Sequence, residues 1–426
     1  MSCAAKRLLG SVSATAFVLA VLLFSTTASR GIGFLLPNQD AAAIARGNAF
    51  AATADNPSAI YYDPAGISQL PGFNCEIGLL SYLGIDSFYS PSAGAGAESK
   101  FQYSPVPEIY LTYSPTNLPL SFGLGVYAPF GLGVEWPSDS GLRTVAINSK
   151  LTYLTINPVV SWQILKSLSV AVGPTINYAN IKFNRGLFDA NDFYEFKGSG
   201  YSYGLTAGIL WHPLEKWSFG ADYRLAATSD FKGSSRYNNP APMPASGTVN
   251  TTASIPFPQT ASVGISFRPT PVWNLEADLD YINWSPLQSI TLAGTQNLFG
   301  QNLVLPLHWR DSWQYKFGVT RYFEDGWFAS AGYYYTTETS PSTYFTPAVP
   351  DTALNVGSVG FGRNGRNWNW ALVAQIIAGS SRTITPTAGN TDPFTMVSAA
   401  GQQPASSSSK FRLFSPTLTL SVDYHF

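Results

Sequence analysis

The sequence predicts an all-β transmembrane barrel of about 14 antiparallel, up-and-down strands with a small N-terminal hatch inside the lumen. Three observations predict it. Segments such as Trp313–Thr320 alternate without error: Trp313, Tyr315, Phe317 and Val319 share one face, and Gln314, Lys316, Gly318 and Thr320 the other. Charged residues are only 12% of the 426 positions, about half the usual share, while aromatics reach 14%. A mean hydropathy of +0.03 rules out a bundle of apolar helices. Finally, the links alternate in length. Tight, turn-rich ones (114–119, 164–167, 212–216, 269–272, 322–326, 364–366) separate long ones (85–103, 134–149, 186–199, 237–248, 293–310, 339–351, 385–410). Short turns at one end and long loops at the other mark a membrane barrel, whereas Greek-key sandwiches have no reason to alternate.

Taken in chain order, residues 1–29 read as a cleaved export signal. Lys6 and Arg7 precede an apolar run, Val12–Phe24, too short to span a bilayer, and Ser25–Ser29 supplies small residues for cleavage. Residues 30–72 form the hatch. They are rich in Ala, Asn, Asp and Pro, with a short helix expected over Asp40–Phe50, Asp40 as its N-cap, and turns at Asp55-Asn56-Pro57 and Asp63-Pro64. So small and polar a segment is a poor domain by itself and belongs inside something larger.

Residues 73–426 are the barrel. Its strands are expected at 73–84, 104–113, 120–133, 150–163, 168–185, 200–211, 217–236, 249–267, 273–292, 311–321, 327–338, 352–363, 367–384 and 411–426. In Trp273–Tyr281, the alternation puts Glu276, Asp278 and Asp280 on one face, which requires water or ionic partners. The last strand places Leu418, Leu420, Val422, Tyr424 and Phe426 opposite Thr417, Thr419, Ser421, Asp423 and His425. Cys3 leaves with the signal, so Cys75 stands alone. It shares parity with Phe73, Ile77 and Leu79 and reads as an apolar lipid-facing residue. The 11 Trp and 23 Tyr suit interfacial girdles.

Composition also narrows function. A net charge of −1 gives no electrostatic case for nucleic acid. Gly200-Tyr201-Ser202-Tyr203-Gly204 matches a nucleophile elbow, but it lies within an alternating strand and lacks the strand–turn–helix setting that the elbow needs. His212, His308 and His425 show no pairing with a nucleophile and no metal spacing. The chain is therefore expected to be no enzyme and to use no cofactor or metal. A general diffusion porin shares barrel and girdles but lacks a hatch. An adhesin or phage receptor gives no sequence warning.

Residues 46–71 read RGNAFAATADNPSAIYYDPAGISQLP. They resemble the hatch of the FadL/OmpP1/TodX family of outer-membrane transporters for long-chain fatty acids and other hydrophobic compounds. Ser121–Trp136, Leu154–Val160, Trp217–Tyr223, Tyr281–Trp284 and Trp309–Gly318 resemble further landmarks of that family in the same order. The resemblance implies fourteen strands and a hatch motif at Asp63, Pro64 and Ala65, where the family has Asn-Pro-Ala. It also implies a kinked third strand that opens a lateral gap at Pro129, Phe130 and Gly131. Proline donates no ladder hydrogen bond and glycine marks a bend, so the chemistry of that segment points the same way. By resemblance, Ile32, Phe34 and Leu35 meet the ligand, and Lys182 and Arg185 are the basic segment for a ligand carboxylate. The implied protein works as a monomer in the outer membrane of a Gram-negative bacterium. Its implied partners are a hydrophobic small molecule, outer-membrane lipid and lipopolysaccharide, and the barrel assembly machinery.

Overall fold

The computed structural model describes residues 33–90, 95–140, 142–187, 191–239, 246–384 and 409–426. The expected signal 1–29, Ile32 and most of the loop 385–410 lie outside the described residues.

With broken strands joined, fourteen strands close into one antiparallel barrel. They are β1 (Gly72–Ser90), β2 (Gln102–Ser114), β3 (Leu120–Tyr127, then Gly131–Glu135), β4 (Asn148–Leu165), β5 (Leu168–Arg185), β6 (Phe193–Leu214) and β7 (Trp217–Arg224, then Ala227–Asn238). There follow β8 (Gly247–Phe257, then Thr260–Thr270), β9 (Trp273–Ile282), β10 (Ser312–Tyr322), β11 (Trp327–Thr336), β12 (Leu354–Asn364), β13 (Trp368–Gly379) and β14 (Ser409–His425). Neighbours in sequence pair in order, and β1 pairs with β14 (Cys75↔Tyr424, Leu79↔Leu420), so the sheet closes on itself.

The alternation runs opposite to that of a soluble sheet. On β14, Leu418 and Leu420 are half exposed, while Thr417, Thr419, Ser421 and Asp423 are buried. On β10, Trp313, Tyr315 and Phe317 face outward and Gln314 and Lys316 face inward. Apolar out and polar in is the arrangement that hydrocarbon outside the wall requires. Cys75 lies half-buried on the outward parity beside exposed Ile77 and Leu79. No described helix is long and apolar enough to cross a membrane.

Two local expectations need correction. The strand expected over 273–292 ends at Ile282; Ser289–Leu292 instead pairs with Leu303–Pro306 in a small hairpin of its own. Apolar alternation could not distinguish a wall strand from a loop hairpin. The helix expected over Asp40–Phe50 is only α1 (Ala41–Ala45). Asp40 does cap it, accepting from the Ala43 N–H at 2.8 Å. Gly47 (φ 65°) and Asn48 (φ 59°) then turn the chain out of the helix. The wall comes so close there that a Cβ on Gly332 would collide with the Gly47 backbone.

Residues 33–71 fill the lumen. After α1 come α2 (Ala59–Tyr62) and a 3₁₀ turn (Pro64–Gln69). Phe50, Ala54, Ile60, Tyr62 and Ile67 pack with Tyr110, Tyr127 and Val159 of the wall. Burying one large apolar side chain stabilises by ~1.5–3 kcal/mol, so the hatch is held by apolar contact as well as by polar anchors.

Candidate functional site: the break in strand 3 and the hatch

The three inward carboxylates of β9 all find partners. Glu276 Oε2 lies 3.3 Å from Arg46 of the hatch. Asp278 Oδ2 accepts from the backbone N–H groups of Phe50 (2.8 Å) and Ala51 (2.9 Å). Asp280 pairs with Lys316 on β10. Two of the three therefore fasten the hatch to the wall. Hydrogen bonds to a charged acceptor contribute ~1.5–3 kcal/mol each. On β13, Gln375 accepts from Asn38 (2.7 Å), and on β2 the Tyr110 hydroxyl donates to the Gln39 carbonyl (3.1 Å).

The wall is interrupted at β3. Ladder pairing with β4 runs to Tyr127↔Thr155 and resumes at Gly131↔Thr152, leaving one extra residue on β3, a bulge. Pairing between β2 and β3 stops at Ile109↔Val126. Above it, β2 carries Pro105 and Pro107, which have no N–H to offer a neighbour.

The N-terminal segment completes the broken strand from inside. The Leu36 N–H donates to the Pro129 carbonyl (2.8 Å), and the Gly131 N–H donates to the Phe34 carbonyl (2.8 Å). Leu35 and Phe130 form an antiparallel bridge between them. The Gln39 side-chain amide donates to the Ala128 carbonyl (2.8 Å) and the Leu36 carbonyl (2.9 Å). Backbone groups that the bulge would orphan are thus satisfied by the hatch.

Around this contact the side chains are aromatic. Phe34 lies 5.1 Å from Trp309, 5.9 Å from Trp284 and 6.3 Å from Phe257, ring centre to ring centre. Phe130 lies 4.9 Å from Phe257 and 5.1 Å from Tyr153. A cavity beside the break is lined by Leu35, Pro129, Phe130 and Phe257, with Thr155 and Arg224 among its polar edges. Arg224 is 3.2 Å from Asp222 and stands over the Tyr61 ring. Trp284 and Trp309 are fully buried here, so the tryptophans serve the lumen as well as the girdles. Arg224, Phe257, Trp284 and Trp309 were not among the expected site residues, although strand parity alone puts Arg224 on the inward face with Asp222.

The expected site residues fall into three groups. Phe34 and Leu35 meet Pro129, Phe130 and Gly131 at the break. Asp63, Pro64 and Ala65 dock lower, against β4, β5 and β6. There Ser161 donates to the Ala65 carbonyl (3.2 Å), and Ala65 packs with Ala171 and Leu210. Gly208 leaves room for Asp63 and Pro64; a Cβ there would sit 2.7 Å from Pro64 Cδ. Lys182 and Arg185 lie apart from both groups, at the long-loop end. Lys182 pairs with Glu195 at 3.4 Å, and buried Arg185 donates to the Thr144 carbonyl at 2.9 Å.

Asp63 accepts the Ala65 N–H at 3.0 Å, closing its own turn, while its second carboxylate oxygen is buried without a hydrogen-bond partner. Burial holds the carboxyl well above its ordinary value of 3.8, and the Ala65 N–H pulls only partly the other way. The docked hatch therefore binds a proton more tightly than the undocked one. Its contribution to docking is fully present below the ordinary value and is lost as pH rises through the raised one. Asp63→Asn cannot ionise. It is expected to abolish this pH dependence and dock at least as firmly at neutral pH, read as amide exchange at Ala65–Gln69 across a pH series.

Comparisons with known proteins agree with this architecture. Residues 21–422 match the family model described as outer membrane protein transport protein (OMPP1/FadL/TodX). A long-chain fatty acid transport protein of Escherichia coli K12 is 21% identical over 386 residues, covering 79% of this chain and 85% of that protein. A Salmonella typhi protein of the same description is 22% identical, over 58% of this chain and 63% of its own length. A crystal structure of a Pseudomonas aeruginosa FadL homologue superposes with a TM-score of 0.78 at 17% identity, over 92% of this chain and 99% of that one. The P. putida toluene transporter TodX gives 0.71 at 15% identity, over 93% and 99%. The chain belongs to the OMPP1/FadL/TodX family of outer-membrane transport proteins.

Proposed function

We propose that this protein is a passive route for hydrophobic molecules, long-chain fatty acids or aromatic hydrocarbons, across the outer membrane, released sideways through the break in β3. The observation that carries this reading is the pairing of Phe34–Leu36 with Pro129–Gly131. A wall opening that is closed only by a movable lumenal segment is a gate. Each CH₂ left in water costs roughly 0.8 kcal/mol relative to an apolar site, so a useful path never exposes the ligand. Long loops capture the ligand and the aromatic nest around Phe34 receives it. Withdrawal of the N-terminal segment then joins the nest to the lipid beside β2 and β3. Arg224 at the cavity edge suits a carboxylate head, whereas the nest suits a ring or an acyl chain. Passage by this route needs no energy source. The working unit is a monomer, inserted by the barrel assembly machinery.

The hatch separates this reading from a general diffusion porin, since it occupies the lumen that ions would cross. In planar bilayers the intact protein is expected to show little steady conductance. Cells producing it are expected to take up a labelled fatty acid or toluene at least several-fold faster than cells without it. A large steady current together with unchanged hydrophobic uptake would favour the porin.

A further inference from the structure

The outward face of the barrel carries a row of lysines at the long-loop end. Lys150, Lys182 and Lys197 are direct cross-strand partners on β4, β5 and β6 (Lys150↔Lys182, Lys182↔Lys197). Like charges side by side on one sheet face destabilise it, so an uninterrupted rung of three calls for an anion. Among the described residues the same face carries Glu195 within the row and Glu135 and Asp230 at its flanks, Glu135 paired with Lys100 and Asp230 accepting from Ser254. Glu195 lies 2.6 Å from Lys197 and 3.4 Å from Lys182. On β7, Lys232 and Arg236 are exposed on the same outward face, and Arg236 is the cross-strand partner of Glu195. Among the described residues the patch stays net positive, although the chain as a whole has net charge −1.

Its height on the barrel identifies the anion. Below the lysines, Tyr178 and Tyr201 are cross-strand partners with rings 5.1 Å apart and face outward. At the short-turn end of the same strands, Trp162 and Trp211 are exposed. Trp211 to Tyr201 is about 33 Å of strand at ~3.3 Å per residue, or roughly 25 Å along the membrane normal at a tilt of ~40°. That equals the usual height of the apolar band, so these aromatics are its two girdles. Lys197 stands four positions beyond Tyr201, roughly 10 Å higher along the normal. The rung therefore lies among the headgroups of the outer leaflet, facing lipid and not the lumen.

We propose that Lys150, Lys182 and Lys197, with Arg236 and Lys232 beside them, form a binding site for the phosphate groups of the outer-leaflet glycolipid, lipid A of lipopolysaccharide. Lysine is a point-charge phosphate ligand, and phosphates fixed above acyl chains are the anions available at that level. The bound glycolipid packs its chains on the outward apolar residues below, Leu154, Ile156, Ile176 and Tyr203 among them. The proposal rests on the outer-membrane placement of the barrel and is independent of the transport reading.

The test uses delipidated, refolded protein in neutral detergent, titrated with diphosphoryl lipid A, with dephosphorylated lipid A and with phosphatidylglycerol, and read by native mass spectrometry. The intact protein is expected to prefer diphosphoryl lipid A over both others. K150Q/K182Q/K197Q is expected to weaken that binding about a hundredfold, since each surface cation near a charged headgroup layer contributes ~1 kcal/mol. The charge-matched variant K216Q/R321Q/R363Q, altered at the short-turn end, should bind as the parent does. Equal binding by the lysine variant, equal loss in the control variant, or phosphatidylglycerol binding as tightly as lipid A would each overturn the site. If the triple variant does not fold, K182Q alone should lose several-fold and K182R should restore it; no loss in K182Q overturns the site equally.

Discussion

A chain lacking residues 33–66 is expected to insert as a folded, heat-modifiable barrel, to lose at least tenfold in uptake of a hydrophobic probe and to gain a steady ion conductance. The wall has its own closed ladder from β1 to β14, and the segment removed contributes no strand to it. Losing the hatch undoes the Arg46–Glu276 pair and both backbone bonds to Asp278. Those carboxylates are then wetted and not stranded, because water enters the vacated lumen, so the full penalty for a dry orphaned charge does not apply. The inward face also carries the hydroxyls and amides of Asn274, Gln314, Thr417 and Thr419 and further ionisable groups such as Glu76, Glu108 and the Asp222–Arg224 pair, which water also satisfies. Folding therefore survives while the apolar path is lost. The aromatic nest loses Phe34, and the β3 break loses the donor that meets the Pro129 carbonyl. Uptake assays, gel mobility with and without heating, and planar-bilayer recordings read the three outcomes separately. Normal uptake in this deletion would contradict the role given to the hatch.

The wall was legible in the sequence and much of the lumen was not. Alternation in Trp313–Thr320 and Thr417–Phe426 is a local property, so reading one strand at a time suffices for it. The tight turns between wall strands were legible for the same reason. The carboxylates on β9 were legible as a need for partners, yet the partners lie far off in sequence: Asp278 meets Phe50 and Ala51, and Glu276 meets Arg46. Periodicity carries no information about contacts of that range. The aromatic nest was missed in the same way, since Phe34, Phe130, Phe257, Trp284 and Trp309 come from five separate segments. Strand parity alone separates Lys182 from Arg185, which the resemblance names together as one basic segment. Lys182 has the outward parity of Tyr178 and Asn180, three residues from Arg185 on the inward one. Pro129 and Gly131 were legible as an interruption because their backbone chemistry is local. That the interruption is stoppered by the chain's own N-terminal segment required the fold.

The proposed sideways release requires Phe34–Leu36 to leave the β3 break before a ligand passes. A reversible tether tests it most directly. Leu35 and Phe130 face each other across an antiparallel bridge. Their Cβ atoms should lie about 4.5–5.5 Å apart, close enough for a disulfide with a small backbone adjustment. In a C75A background, L35C/F130C is expected to take up hydrophobic probes when reduced, to fall to the level of cells without the protein when oxidised, and to recover on reduction. Uptake at the same rate in the oxidised and reduced states, with the cross-link verified by mass spectrometry, would contradict the account.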